Sequence, residues 1–270
     1  MTAVFPIARP SRRQVLRGFL GLAAAGPLMT HPFTTSAQGV TLPDGRYYDA
    51  YVPAASKESQ FYHYTCEFDA AWVVLATFGH DVGFDEQIGI VGHDTSIEPW
   101  YEMGPNGWVI YGGDILTQFS GNYHDNLLAR TTGQAMMPIF QQYSLPASHV
   151  RDRQGIQETL DQGGLVWMKA TADFLQWEPT TWITPEGVEL PTVLGNDHAV
   201  VVMGYNDLGV VIRDVLGPTS SNWERLYEYD IPWETFLGVF GSQGSDGIGV
   251  LPPGTESKPA GRVVEPAPAG

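Results

Sequence analysis

The chain contains one cysteine, Cys66, so no intramolecular disulfide can form, and the thiol is either a small buried hydrophobe or a free nucleophile. Its position favours the nucleophile. Phe68, Ala71, Trp72, Leu75 and Phe78 recur at helical spacing over 65–78, with Thr65 as N-cap and Gly79 as stop. Cys66 therefore falls on the first turn, where unpaired N–H groups and the positive end of the helix dipole favour a thiolate. A nucleophilic cysteine needs a base and a group to orient that base. His198 opens a Val-rich run, and Asp214 closes the next one 16 residues later. An acyl-transfer intermediate also needs a second oxyanion donor beside the backbone N–H of the nucleophile, and Gln60, six residues before Cys66, carries a suitable amide.

The elements that must position these residues follow from the same periodicities. Residues 198–205 and 210–214 are rich in Val and Ile, and Asn206-Asp207-Leu208-Gly209 between them carries turn chemistry, which predicts a β-hairpin. With an odd-length loop, two even-numbered positions on opposite strands face the same side, so His198 and Asp214 can meet diagonally; an even loop separates them. A short helix is expected over 85–91, capped by Asp85 and ended by Gly92, followed by a loop over 94–113. Helices are expected over 132–143 and 154–160, the second stopping at Gly163-Gly164, with a buried strand over 165–168. Helices first and strands later indicate an α+β fold.

The chain has 270 residues, 43% hydrophobic and only 16% charged, enough apolar content to fold as a globular unit. The 31 Gly and 20 Pro imply long loops between short elements. The net charge of -16 argues against a nucleic-acid or anionic-membrane partner. Ser11-Arg12-Arg13-Gln14-Val15-Leu16-Arg17 precedes a Gly- and Ala-rich apolar run over 18–29, which reads as a twin-arginine signal peptide over 1–37, cleaved after Ala37. The run is too short for a span, which needs about 20 apolar residues. No stable membrane insertion is expected after the signal is removed. The expected location is extracellular, periplasmic or associated with the cell envelope. Residues 38–251 read as one catalytic domain and the Pro-, Ala- and Gly-rich 252–270 as a disordered tail.

Two segments resemble a known family. Residues 60–79, QFYHYTCEFDAAWVVLATFG, and 198–218, HAVVVMGYNDLGVVIRDVLGP, look like the two signature segments of the bacteriocin-processing-type (double-glycine leader), papain-like cysteine peptidases, in their stand-alone exported branch. The resemblance implies a papain-like fold in which Cys66 acts as nucleophile, His198 as base, Asp214 as its orienter and Gln60 as oxyanion donor. Glu67 follows Cys66 where Gly-Pro is common, and the usual Asp-Pro is stretched to Asp214-Val215-Leu216-Gly217-Pro218. Double-glycine specificity, which belongs to exporter-linked members, is not carried over.

The expected function is an exported cysteine peptidase or related amide hydrolase working through an acyl-enzyme, without a cofactor or metal, on a peptide or protein substrate, cell-wall peptide included. The alternatives are a binding protein with a degenerate site and an acyltransferase of the same geometry. Glu67 and Asp69 oppose a thiolate unless the helix turns them away. His63 is a secondary candidate for the base, while His93 and His124 read as solvated. Trp108, Trp177 and Trp182 are candidate cleft residues. Trp100, Tyr101, Trp108 and Tyr111 cluster in the expected loop, and a long loop over 177–197 leads into His198. Asp197 can orient His198 or bind a substrate amine, or it is simply a turn residue.

Overall fold

The structure, a computed structural model, describes residues 39–255. The expected signal over 1–37 and the tail beyond 255 lie outside the described residues. Strands β1 (Val40–Thr41), β2 (Tyr47–Tyr48) and β3 (Ala50–Tyr51) lead to helices α1 (Cys66–Thr77) and α2 (Phe84–Val91). Then come β4 (His93–Asp94), β5 (Trp100–Gly104), β6 (Gly107–Tyr111), β7 (Phe119–Ser120) and α3 (Gly133–Gln142). β8 (Ala147–Val150), α4 (Arg153–Asp161) and β9 (Leu165–Thr171) precede the hairpin of β10 (Pro179–Ile183) and β11 (Glu189–Val193). β12 (Asp197–Tyr205), β13 (Gly209–Arg213), β14 (Glu228–Pro232), α5 (Trp233–Ser242) and β15 (Gly247–Val250) complete the fold.

Seven strands form one antiparallel sheet in the order β14-β13-β12-β9-β15-β8, with β3 added against β12. Because side chains alternate along a strand, each central strand feeds two cores. Trp167, Ala199, Val201, Met203 and Val211 pack with Phe68, Ala71, Leu75, Met136 and Phe140 of α1 and α3. Val166, Met168, Val200, Val202 and Ile212 pack with Ile156, Leu160, Phe236 and Phe240 of α4 and α5. Strands buried on both faces read as continuous apolar runs, which is why 165–168 and 198–205 stand out in the sequence. Helix α1 is enclosed on more than one face: Ala70, Val73 and Val74 are buried beside the expected stripe, while Trp72 is only half-buried. No helix among the described residues is long and apolar enough to cross a membrane.

Three expectations are corrected. Residues 94–113 are not a loop: β5 and β6 pair around a turn that contains Pro105 and Asn106, with Trp100 stacked on Tyr111 at 4.6 Å. The segment before His198 is likewise a hairpin, β10 with β11, and β10 joins β6 in parallel to give a four-stranded sheet, β11-β10-β6-β5. Both segments carry β-branched and aromatic residues whose strand signal is masked by neighbouring Pro and Gly. The N-cap of α2 is Gly83, with Asp85 inside the first turn, and Gly92 at φ +87 ends the helix as expected.

The β12–β13 hairpin also depends on one close approach. A Cβ on Gly209 would lie 2.1 Å from Ile231 O and 3.0 Å from Pro232 Cα, both backbone atoms of β14. Gly209→Ala is therefore expected to force β13 and β14 apart and cost about 1–3 kcal/mol of overpacking, read as a lowered urea midpoint. A midpoint equal to wild type would show that β14 yields freely.

Candidate active site

Asp69 lies one turn into α1 and ties the incoming chain to the helix. Its Oδ1 accepts from Phe61 N at 2.9 Å and pairs with Lys57 Nζ at 3.3 Å, and its Oδ2 accepts from the Thr65 hydroxyl at 2.7 Å. The Thr65 side chain makes no capping bond, contrary to expectation, although its carbonyl accepts from Phe68 N and Asp69 N. Burial raises the Asp69 pKa to about 6, against the opposing pull of Thr65 and Lys57. Ser59 N donates to Val215 O at 3.1 Å. Gln60 is thus held between a bond to α1 on one side and a bond to the residue after Asp214 on the other.

The expected meeting of His198 and Asp214 occurs, by a different route. Four residues, an even number, separate the paired Tyr205 and Val210, and the expected odd loop is absent. The register then shifts between Val202 and Gly204, leaving Met203 as an extra residue in β12. That bulge restores the parity that the loop removes. His198 Nε2 lies 2.8 Å from Asp214 Oδ1, and both side chains are buried. Asp214 Oδ1 also accepts from Leu216 N at 2.8 Å, and Oδ2 accepts from the Tyr229 hydroxyl at 2.8 Å with Arg225 Nη1 at 3.5 Å. Burial opposes the charge of Asp214, but His198 and Arg225 outweigh it and hold the carboxyl well below its usual range. With Nε2 directed at Asp214, Nδ1 is the imidazole nitrogen left for a reaction.

Gln60, Cys66 and His198 line one cleft of about 500 Å³, together with Tyr101, Trp177 and Leu216. Cys66 is 5% exposed. Its Sγ donates to Glu67 Oε2 at 3.2 Å, and Glu67 Oε1 meets Lys169 Nζ at 2.6 Å. Lys169 Nζ is also 2.6 Å from Asp197 Oδ2, and Gln243 Nε2 donates to Asp197 Oδ1 at 2.7 Å. Burial pushes the Cys66 thiol well above its ordinary value, Glu67 adds to that shift, and Lys169 opposes it. These surroundings oppose the thiolate expected from the helix dipole alone. Of the two acids flagged in the sequence, Asp69 is turned away to its own partners while Glu67 faces the sulfur.

The remaining candidates divide. Trp177 borders the cleft. Trp182 does not: it is 0% exposed, packs with Ile110, Ile115 and Leu128, and bonds Gly113 O through Nε1. Trp108 is half-buried behind the cleft residue Tyr101, ring centres 5.4 Å apart. Asp197 is neither a turn residue nor free for a substrate amine, since it opens β12 and both its oxygens are engaged. His63 lies on the cleft but its Nδ1 faces His124 O at 3.0 Å. His93 is half-buried on Gly121 O rather than solvated, whereas His124 is exposed, as expected, with its ring edge-on to Tyr62. The sequence reading missed Lys169, Tyr229 and Arg225. Lys169 did leave a signal, as a charge in phase with Trp167 on a strand that is otherwise apolar to Ala170.

Residues 51–248 match the model of the Peptidase_C39 like family. Among solved structures, a Bacillus anthracis protein described as C39-like peptidase aligns with 77% of this chain and 98% of its own length, at a TM-score of 0.57 and 19% identity. That likeness is one of fold. No curated protein matches the chain.

The contact between Glu67 and the sulfur has a measurable consequence. Glu67→Gln removes a negative charge from beside Sγ, so the midpoint of the pH–rate profile for iodoacetamide alkylation of Cys66 should fall and alkylation at neutral pH should quicken. Lys169→Met should shift the midpoint upward. Equal midpoints in all three proteins would show that burial alone sets the thiol.

Proposed function

We propose, from the premise that the chain belongs to the Peptidase_C39 like family, that Cys66 is the nucleophile of an exported peptidase. In this reading His198 is the base, Asp214 its orienter and Gln60 the side-chain donor of the oxyanion hole. The fold is α+β and papain-like, and the family carries a cysteine peptidase-type function on peptide or protein substrates. The observation that most directly supports the assignment is the 2.8 Å contact of His198 Nε2 with the buried Asp214, beside a cleft that Cys66 and Gln60 share.

Burial and Glu67 favour the thiol over the thiolate, and in this reading the proton leaves in the reaction itself. His198 Nδ1 takes it as Sγ attacks the carbonyl carbon of the scissile amide. The charge that develops on the carbonyl oxygen is met by the Cys66 backbone N–H, one of the unpaired donors at the start of α1, and by the Gln60 amide. The imidazolium, stabilised by Asp214, returns the proton to the leaving amine. Water, deprotonated by the same imidazole, then hydrolyses the thioester and releases Cys66 as a thiol. Export by the twin-arginine route is part of the proposal and rests on residues 11–29 alone. N-terminal sequencing of exported protein tests it, with a start near Gln38 expected.

One observation favours a second reading, a papain-like fold kept for binding: the sulfur is bonded to a carboxylate and its thiol form is favoured. Mutagenesis separates the two. Cys66→Ala should abolish amide hydrolysis and alkylation while leaving the fold intact. Gln60→Ala should lower kcat by roughly 10²- to 10³-fold, about 2.7–4 kcal/mol, with little change in KM, because the donor acts on charge that develops during the reaction. A Cys66→Ala protein that keeps the full biological effect of wild type would favour the binding reading. Wild-type turnover in Gln60→Ala would assign the oxyanion donor elsewhere.

A further inference from the structure

A second recess, of about 350 Å³, adjoins the cleft across the buried ion pair beneath Cys66: Asp197 lines the cleft and Lys169 lines the recess. No residue lines both. The recess has two kinds of wall. Arg130, Arg151 and Lys169 bring to it three of the 14 basic residues of a chain whose net charge is -16. Ile115, Leu190 and Pro191 supply an apolar side. Lys169 is already held by Glu67 and Asp197, and Arg130 Nε lies 3.9 Å from Asp197 Oδ2, so the cation left to attract an anion at this concavity is Arg151.

Arg130 is incompletely paired. It is 1% exposed; Nε donates to Leu128 O, and Nη1 to Thr192 Oγ1 and Val193 O. Its Nη2 has no hydrogen-bond partner. A buried donor without a partner costs free energy that an incoming acceptor restores. Arg151, exposed at the rim, forms no ion pair among the described residues. The one acid in the lining, Asp246, already caps α3 by accepting from Gly133 N at 2.7 Å. Burial raises its pKa, against the opposing pull of the Gly133 N–H and Lys169.

We propose that this recess binds a small aliphatic carboxylate, its anionic end toward Arg130 and Arg151 and its hydrocarbon body against Ile115, Leu190 and Pro191. The volume falls within the range of small-molecule sites, and a few convergent polar groups on an apolar wall are what such sites use to fix orientation. The free C-terminus of a peptide ending in an aliphatic residue and a short-chain carboxylic acid share this chemistry. The site does not depend on the peptidase assignment.

Calorimetric titration of the full chain with N-acetyl-leucine, hexanoate and the uncharged N-acetyl-leucinamide tests the proposal. Saturable binding of a carboxylate is expected by about 1 mM, with the amide at least about tenfold weaker. N-acetyl-leucine binding more tightly than hexanoate identifies a peptide terminus, and equal affinities identify a simple carboxylic acid. Arg151→Gln, at an exposed position that does not touch the cleft, should weaken carboxylate binding about tenfold and leave Cys66 alkylation unchanged. Three results overturn the site: no saturable binding of either carboxylate up to about 10 mM, equal binding of acid and amide, or an affinity unaffected by Arg151→Gln.

Discussion

The Lys169 ammonium, 2.6 Å from carboxylates on either side, is the contact on which the rest of the molecule converges. Glu67 comes from α1, Lys169 from β9 and Asp197 from the start of β12. Glu67 also accepts from Thr131 N ahead of α3, and its carbonyl accepts from the buried Trp167 Nε1. Gln243, just past α5, joins Asp197 to Ala170 O. Burial works against the charge on Lys169, but Asp197 and Glu67 outweigh it and raise its pKa. Such a group contributes little net stability when intact, because desolvation offsets attraction, yet removing one member strands the others at a cost of about 3–5 kcal/mol. Its consequence is geometric: α1 cannot slide or rotate on the sheet without leaving a buried charge unpaired.

How much of this is legible in the sequence depends on whether a feature is local. Helix α1 and strands β9, β12 and β13 are readable because each is a run of apolar residues with a clear period and a Gly or turn at its end. The Gln60, Cys66, His198 and Asp214 group is readable because its members have distinctive chemistry at recognisable separations. The β5–β6 and β10–β11 hairpins are obscured because their Pro and Gly are strong local breakers. What makes them strands is the parallel pairing of β6 with β10, across about 70 residues of chain. Trp182 illustrates the same limit. As a residue type it suits a cleft wall as well as a core, and only the packing of that second sheet sends it inward.

Parity gives a sharper case. Counting from the turn alone puts His198 and Asp214 on opposite faces, because four residues close the hairpin. Met203 reverses that outcome by occupying a position with no partner. Nothing in Val200-Val201-Val202-Met203-Gly204 announces a bulge except the glycine, whose added Cβ would meet Ala50 O at 2.7 Å. The third strand, β3, presses on β12 at the place where the register slips. The geometry of the His198–Asp214 pair is thus fixed partly by a two-residue strand that precedes Cys66 by some 15 positions in sequence.

The same network bears on the acid adjacent to Cys66, the proposed nucleophile. Glu67 raises the cost of ionising Cys66, but Lys169 holds that carboxylate at 2.6 Å on its other oxygen and itself favours the thiolate. The balance favours the neutral sulfur, with a cation nearby that pulls the other way. A permanent thiolate would have other consequences. Oxidation of cysteine follows thiolate character and exposure, and a chain with a single cysteine has no second thiol to resolve a sulfenic acid. In the proposed mechanism a buried thiol at Cys66, ionised only as His198 accepts its proton, would confine the reactive form to the moment of attack. On that proposal, Glu67 beside Cys66 is part of how the sulfur would be kept intact between turnovers.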